Sequence, residues 1–87
     1  MYIKVTQEDI NNGQCGSPRR CMVARAIHRY LPKATVDVTR FAIISIDGKE
    51  NSVPLSSRVV NFIYDYDNGR TVKPFKFFLK LPENLLK

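Results

Sequence analysis

Turn and stop signals recur so closely along the chain that no element has room for more than about four helical turns. Asn11-Asn12-Gly13, Ser17-Pro18, Pro32, Asp47-Gly48 and Asn68-Gly69 cut the 87 residues into short pieces. Each piece must bury its apolar face against the others. A chain of this length closes one hydrophobic core, so residues 1–87 are expected to form a single compact domain. Hydrophobic residues make up 44%, which fits a folded globular chain rather than a disordered or membrane-embedded one.

Tyr2 to Thr6 alternates around Ile3 and Val5 and predicts a short opening strand. Thr6-Gln7-Glu8-Asp9 has the form of a capping box, but Asn11-Asn12-Gly13 stops it within a turn, and Gly13 to Pro18 reads as a loop. Ser17 as N-cap, with Pro18 in the first helical position, predicts a helix from Pro18 to about Leu31. Val23, Ala24, Ala26, Ile27, Tyr30 and Leu31 share its broad apolar face. Arg25 and Arg29 fall opposite, flanked by Cys21, Met22 and His28, and Pro32 ends the helix.

Ala34 to Thr39 and Phe41 to Ile46 read as strands, and Asp47-Gly48 is a two-residue hairpin signal that returns Lys49 to Val53 antiparallel. Ser56 opens a second helix with Val59, Val60, Phe62, Ile63 and Tyr66 on one face, stopped by Asn68-Gly69. The last strand, Val72 to Leu81, sets Phe75, Phe77, Leu79 and Leu81 on one side and Lys76, Phe78 and Lys80 on the other. Pro74 places it at a strand end or a sheet edge. The expected fold is α+β in the order β-α-β-β-β-α-β, with two helices packed on one face of a mainly antiparallel sheet.

The formal net charge of +6 is unevenly spread. No acidic residue lies between Asp9 and Asp37, a stretch that carries Arg19, Arg20, Arg25, Arg29 and Lys33. None lies between Asp67 and Glu83, where Arg70, Lys73, Lys76 and Lys80 fall. Such segments favour anionic partners. Arg19 and Arg20 are expected in the first turn of the first helix, where the positive end of the helix dipole disfavours them. With Ser17 as cap, that junction reads as an anion site; alternatively, the two arginines pair with acids from elsewhere, such as Asp37 or Glu50. Arg25 and Arg29 at i and i+4, extended by Lys33, form a basic ridge without acidic partners at helical spacing. Lys76, Phe78 and Lys80 form a secondary candidate surface, either for stacking and phosphate contact with single-stranded nucleic acid or with Phe78 packed beneath a helix or in a dimer contact.

Catalytic chemistry finds few residues. His28 is the only histidine, and Cys21 lies seven residues from it, about 10 Å along a helix axis. Cys15 and Cys21 lack zinc-ligand spacing, and Asp65 and Asp67 fall on different sides of the second helix. Gly13-Gln14-Cys15-Gly16-Ser17 is neither a P-loop nor a dinucleotide fingerprint. No catalytic residue, metal or cofactor is expected. Neither a signal peptide nor a membrane span is visible, so the expected location is the cytosol with both thiols reduced.

Val5-Thr6-Gln7-Glu8-Asp9-Ile10-Asn11-Asn12-Gly13, followed by Cys21-Met22-Val23-Ala24-Arg25-Ala26-Ile27, resembles the start of small, largely uncharacterised bacteriophage and prophage accessory proteins. In those a strand and an Asp-Ile-x-x-Gly turn precede a cysteine-containing loop and a Val-Ala-x-Ala helix. Tyr64-Asp65-Tyr66-Asp67-Asn68-Gly69-Arg70, running into Val72-Lys73-Pro74-Phe75-Lys76-Phe77, resembles their ending. The resemblance implies a non-catalytic protein of the host cytosol that binds and inhibits a host factor, with a defence nucleoprotein, a nucleotide signal, a nuclease or RNA polymerase as the class of target. The expected partner is a host protein or nucleoprotein, or a phosphate-bearing ligand. A virion-associated homo-oligomer is the alternative, and a small hydrolase or thiol enzyme a further one.

Overall fold

The computed structural model describes residues 1–81. Its elements are β1 (Tyr2–Val5), α1 (Gln7–Asn12), α2 (Met22–Tyr30), β2 (Thr35–Val38), β3 (Phe41–Ile46), β4 (Lys49–Pro54), α3 (Ser57–Asp67) and β5 (Phe75–Phe78). The protein is α+β, and all strand pairs are antiparallel. No helix among the described residues is long and apolar enough to cross a membrane.

Two differences from the sequence expectation have clear physical causes. The capping box is real: Thr6 Oγ1 accepts from the Asp9 N–H, and the Asp9 carboxylate accepts from the Thr6 N–H at 2.9 Å, which supports a third helix, α1, up to Gly13. The helix expected from Pro18 starts instead at Met22, capped by Cys21, whose Sγ accepts from the Ala24 N–H at 3.5 Å. The carbonyls that would have continued it N-terminally are used elsewhere. Pro18 O accepts from Val38 N–H of β2 at 2.8 Å, and Arg20 O accepts from Gln14 N–H at 2.8 Å. Tertiary hydrogen bonds therefore outcompete the local start signal.

The strands form two sheets, β1-β5 and β2-β3-β4. Their facing edges are occupied. Pro18 O takes Val38 N–H on the outer edge of β2, and on β1 the Lys4 N–H donates to Tyr30 Oη while Lys4 O accepts from Arg29 Nη2 at 2.7 Å. On the far side, Lys76 O of β5 accepts from Arg58 Nη1 of α3 at 3.1 Å. The Asp47-Gly48 hairpin forms as expected: both residues have positive φ, 51° and 77°, and Ile46 pairs with Lys49. α3 starts at its Ser56 cap, and Gly69 follows its end at φ 74°.

α2 joins the two sheets, touching β1, β2 and α1. Its Met22, Val23, Ala24, Ala26 and Ile27 are fully buried with Ile3, Val5, Ala42 and Ile44. Met22, expected on the polar flank, is thus a core residue: it lies four residues before Ala26 on α2 and shares that residue's buried side. Phe62 of α3 stacks on Phe75 of β5, ring centroids 4.2 Å apart, and ties the third helix to the terminal ladder.

Two buried acids make the folded state lose stability at alkaline pH. Burial pushes the Cys21 thiol above its ordinary value of 9.0 and the Tyr66 phenol above its ordinary value of 10.0. Both protons are held more tightly in the folded chain than in the unfolded one. Their contribution is therefore complete below about pH 9, where both states are protonated, and is lost as the pH rises through the raised folded values. Urea midpoints are expected to fall as the pH rises past the ordinary values of the two groups. Cys21→Ser, which keeps the cap and removes the thiol, should flatten the first part of that fall; identical profiles for the two proteins would refute the assignment.

Candidate anion-binding groove

The sequence between α1 and α2 folds into a tight loop. Ser17 O accepts from Cys21 N–H at 3.0 Å, and the loop is fastened to β2 at Val38. Arg19 and Arg20 therefore lie in this loop, directly ahead of the Cys21 cap, and not in the first turn of α2 where the sequence places them.

The loop brings Arg19 and Arg20 to the same cavity as Arg25 of α2. This cavity, about 460 Å³, is lined by Asn12, Gln14, Arg19, Arg20, Arg25 and His28. Arg19 and His28 also line a second cavity of about 230 Å³ with Ala34, Thr35 and Val36. No carboxylate among the described residues lines either cavity.

The three arginines differ in how far they are already committed. Arg19 Nε donates to Asp37 Oδ1 at 2.9 Å, one of the two acidic partners expected from the sequence. Arg25 lies with Nε 4.0 Å from Asp9 Oδ1, close enough for attraction and too far for a hydrogen bond; that nitrogen is buried without a partner. Arg20 is exposed and has no ion pair among the described residues. Against these cations stand the Asp37 carboxylate and, 4.0 Å from Arg25, the Asp9 carboxylate, which is shared with another residue.

That residue is Arg29, which corrects the expected basic ridge. Its Nη1 donates to both Asp9 oxygens, at 2.7 and 2.8 Å, and its Nη2 donates to Lys4 O. The hydrogen bond to Asp9 is the chief reason the Arg29 pKa is raised above its ordinary value. Arg29 is therefore a structural clamp on a carboxylate only 2% exposed. The acid it uses comes from α1, not from helical spacing. Lys33 lies on the exposed turn beyond α2, outside the residues that line the groove.

Ser17 also stands apart. It lines a separate cavity of about 350 Å³ with Val38, Ile63 and Tyr64. Cys15 donates its thiol proton to Tyr66 O at 3.0 Å, and Cys21 is turned inward as a helix cap. Of the secondary surface, Lys76, Phe78 and Lys80 are all exposed, as the strand alternation requires, and Phe78 is 59% exposed, so it does not pack beneath a helix.

Sequence reasoning missed Asn12, Gln14 and His28 as groove residues and Asp9 as the buried counter-charge. Asp9 had a readable signal: it sits at the third position of a capping box and borders the acid-free arginine segment that needs an acid from outside.

Guanidinium groups, an imidazole and two side-chain amides converging on a concave surface provide forked donors for phosphate oxygens and neutral donors and acceptors for groups beside them. The volume lies within the range of small-ligand sites. No protein-family model, curated protein or solved structure matches the chain.

Proposed function

We propose that this protein is a non-catalytic binding protein that takes a phosphate-bearing ligand in the Arg19–Arg20–Arg25–His28 groove. The observation that carries this reading is the convergence of three arginines on one cavity with no lining carboxylate among the described residues. Arg20 has no ion pair among the described residues and Arg25 only the 4.0 Å approach to Asp9, so both can donate to an anion bound in the cavity. The resemblance to phage accessory proteins supports a role in which the groove engages a host nucleotide, nucleic acid or nucleoprotein of a defence system and inhibits it.

Calorimetry with inorganic pyrophosphate tests the groove. Arg19→Ala combined with Arg20→Ala is expected to weaken binding at least tenfold, and raising the salt concentration is expected to weaken wild-type binding as phosphate contacts are screened. Unchanged affinity in the double variant removes the groove as the site. Capture from a host lysate with and without nuclease then separates a nucleic-acid partner from a protein one.

A further inference from the structure

The outer face of the β1-β5 ladder carries a second arrangement that the groove does not explain. Met1 and Leu79 exchange both backbone hydrogen bonds, at 3.2 and 2.8 Å. The antiparallel alternation then makes Tyr2↔Phe78 and Lys4↔Lys76 non-hydrogen-bonded pairs, in which facing side chains stand closest. All four side chains are exposed, while Ile3, Val5 and Phe77 point into the core.

This face carries one unfavourable cross-strand pair and one aromatic pair left open to solvent. Lys4 lies directly opposite Lys76, a like-charge cross-strand pair that destabilises a ladder. Tyr2 and Phe78, 63% and 59% exposed, leave two aromatic rings in water, 5.2 Å apart and nearly perpendicular. No acidic residue occurs in either strand, and none of Lys4, Lys76 and Lys80 has an ion pair among the described residues. Beyond the lysine pair, the face runs into a cavity of about 410 Å³ whose lining includes both lysines, Thr6, Gln7, Pro74 and Phe75.

We infer that this face binds single-stranded nucleic acid. The two-residue strand period, about 6.6 Å, places a lysine next to an aromatic ring on each strand: Tyr2 with Lys4, and Phe78 with Lys76 and Lys80. Lys76 Nζ lies 5.6 Å over the Tyr2 ring, which holds that charge beside the aromatic pair and leaves Phe78 as the stacking ring. A base stacks on Phe78, phosphates lie against the lysine pair, and the anion removes the repulsion between Lys4 and Lys76. A duplex, whose bases are already stacked on each other, gains only the lysine contacts. The inference is independent of the proposed groove, which is built from other residues.

Fluorescence polarisation with a labelled 12-nucleotide oligouridine, and with a blunt duplex of the same length, tests it. Wild type is expected to favour the single strand, and Phe78→Leu combined with Tyr2→Leu to weaken that binding at least tenfold. Phe78→Tyr, which keeps the ring, is expected to retain it. Lys4→Ala with Lys76→Ala should make the logarithmic salt slope shallower by about 1.4, two phosphate contacts on a single strand. Pyrophosphate affinity is expected to be unchanged in the Phe78→Leu/Tyr2→Leu variant, so loss of the face and loss of the groove read out separately. Equal binding of single strand and duplex, unchanged affinity in the leucine variant, or a light-scattering mass of two chains that reverts to one in that variant each overturns the inference; the last assigns the face to a second copy of the chain.

Discussion

Arg29→Met is expected to destabilise the fold by about 3 kcal/mol, a large part of the roughly 5 kcal/mol available to a domain of this size. The cost does not come from losing a surface ion pair, which alone would be worth less than about 1 kcal/mol. It comes from the other partner: the Asp9 side chain is only 3% exposed and would keep a carboxylate out of water with the Thr6 N–H as its remaining close donor. Stranding a buried charge costs about 3–5 kcal/mol. The lower end applies because Arg29 is itself 45% exposed in the pair, and because Arg25, 4.0 Å away, is placed to swing toward the carboxylate. Asp9→Asn provides the control. It retains an acceptor for the cap and strands no charge, so the cost of Arg29→Met measured on top of Asp9→Asn should shrink to about 1 kcal/mol. Urea denaturation of the four proteins measures the difference; equal costs with and without Asp9→Asn would show that the stranded charge is not the cause. The same cycle connects the fold to the groove, because an Arg25 recruited by Asp9 is withdrawn from the cavity. Pyrophosphate binding should therefore weaken in the Arg29→Met protein even at temperatures where it remains folded.

Gly13→Ala is expected to cost about 2 kcal/mol and to lower the melting temperature by roughly 10 °C. The cause is space rather than backbone conformation, since Gly13 has φ −73°, open to any residue. An added Cβ would lie 2.5 Å from Tyr66 Oη, 2.7 Å from Asp9 O and 2.9 Å from Met22 N. Two of those three atoms are backbone and cannot rotate away. Tyr66→Phe removes the hydroxyl that donates to Ile10 O at 2.9 Å, and with it the nearest clash. The cost of Gly13→Ala measured on top of Tyr66→Phe should fall and still exceed about 1 kcal/mol, because the two backbone contacts remain. A neutral Gly13→Ala by thermal melting would mean that α1 and α2 can separate without penalty.

Elements governed by local chemistry were legible in the sequence. The Asp47-Gly48 turn, the Ser56 cap and the alternation of Phe75, Phe77 and Leu79 against Lys76, Phe78 and Lys80 depend on neighbouring residues alone, and the structure contains each. The start of α2 was not legible, because Ser17-Pro18 is a sound local signal defeated by Val38, twenty residues on, and by Gln14. The groove was half legible for the same reason. The acid-free segment identified Arg19, Arg20 and Arg25, but which arginine would be neutralised depended on where Asp9 and Asp37 came to lie. Local pattern does not say which arginine a carboxylate twenty residues away will reach. The ladder face needed β1 beside β5, a pairing between positions more than seventy residues apart, before Tyr2 and Lys4 could join Lys76 and Phe78.

The arginines on the outer carbonyls of that ladder have a consequence for how the protein fails. A two-stranded sheet with bare edges is a template on which a strand from a neighbouring molecule can align, the first step toward insoluble fibrous assembly. Arg29 on Lys4 O and Arg58 on Lys76 O block both templates, and each plug is charged as well as hydrogen-bonded. Because Arg29 is also the clamp on Asp9, one side chain guards against unfolding and against templated growth. Its loss would remove both protections in the same molecule, and concentrated solutions of the Arg29→Met protein should precipitate on warming before they show a reversible melt.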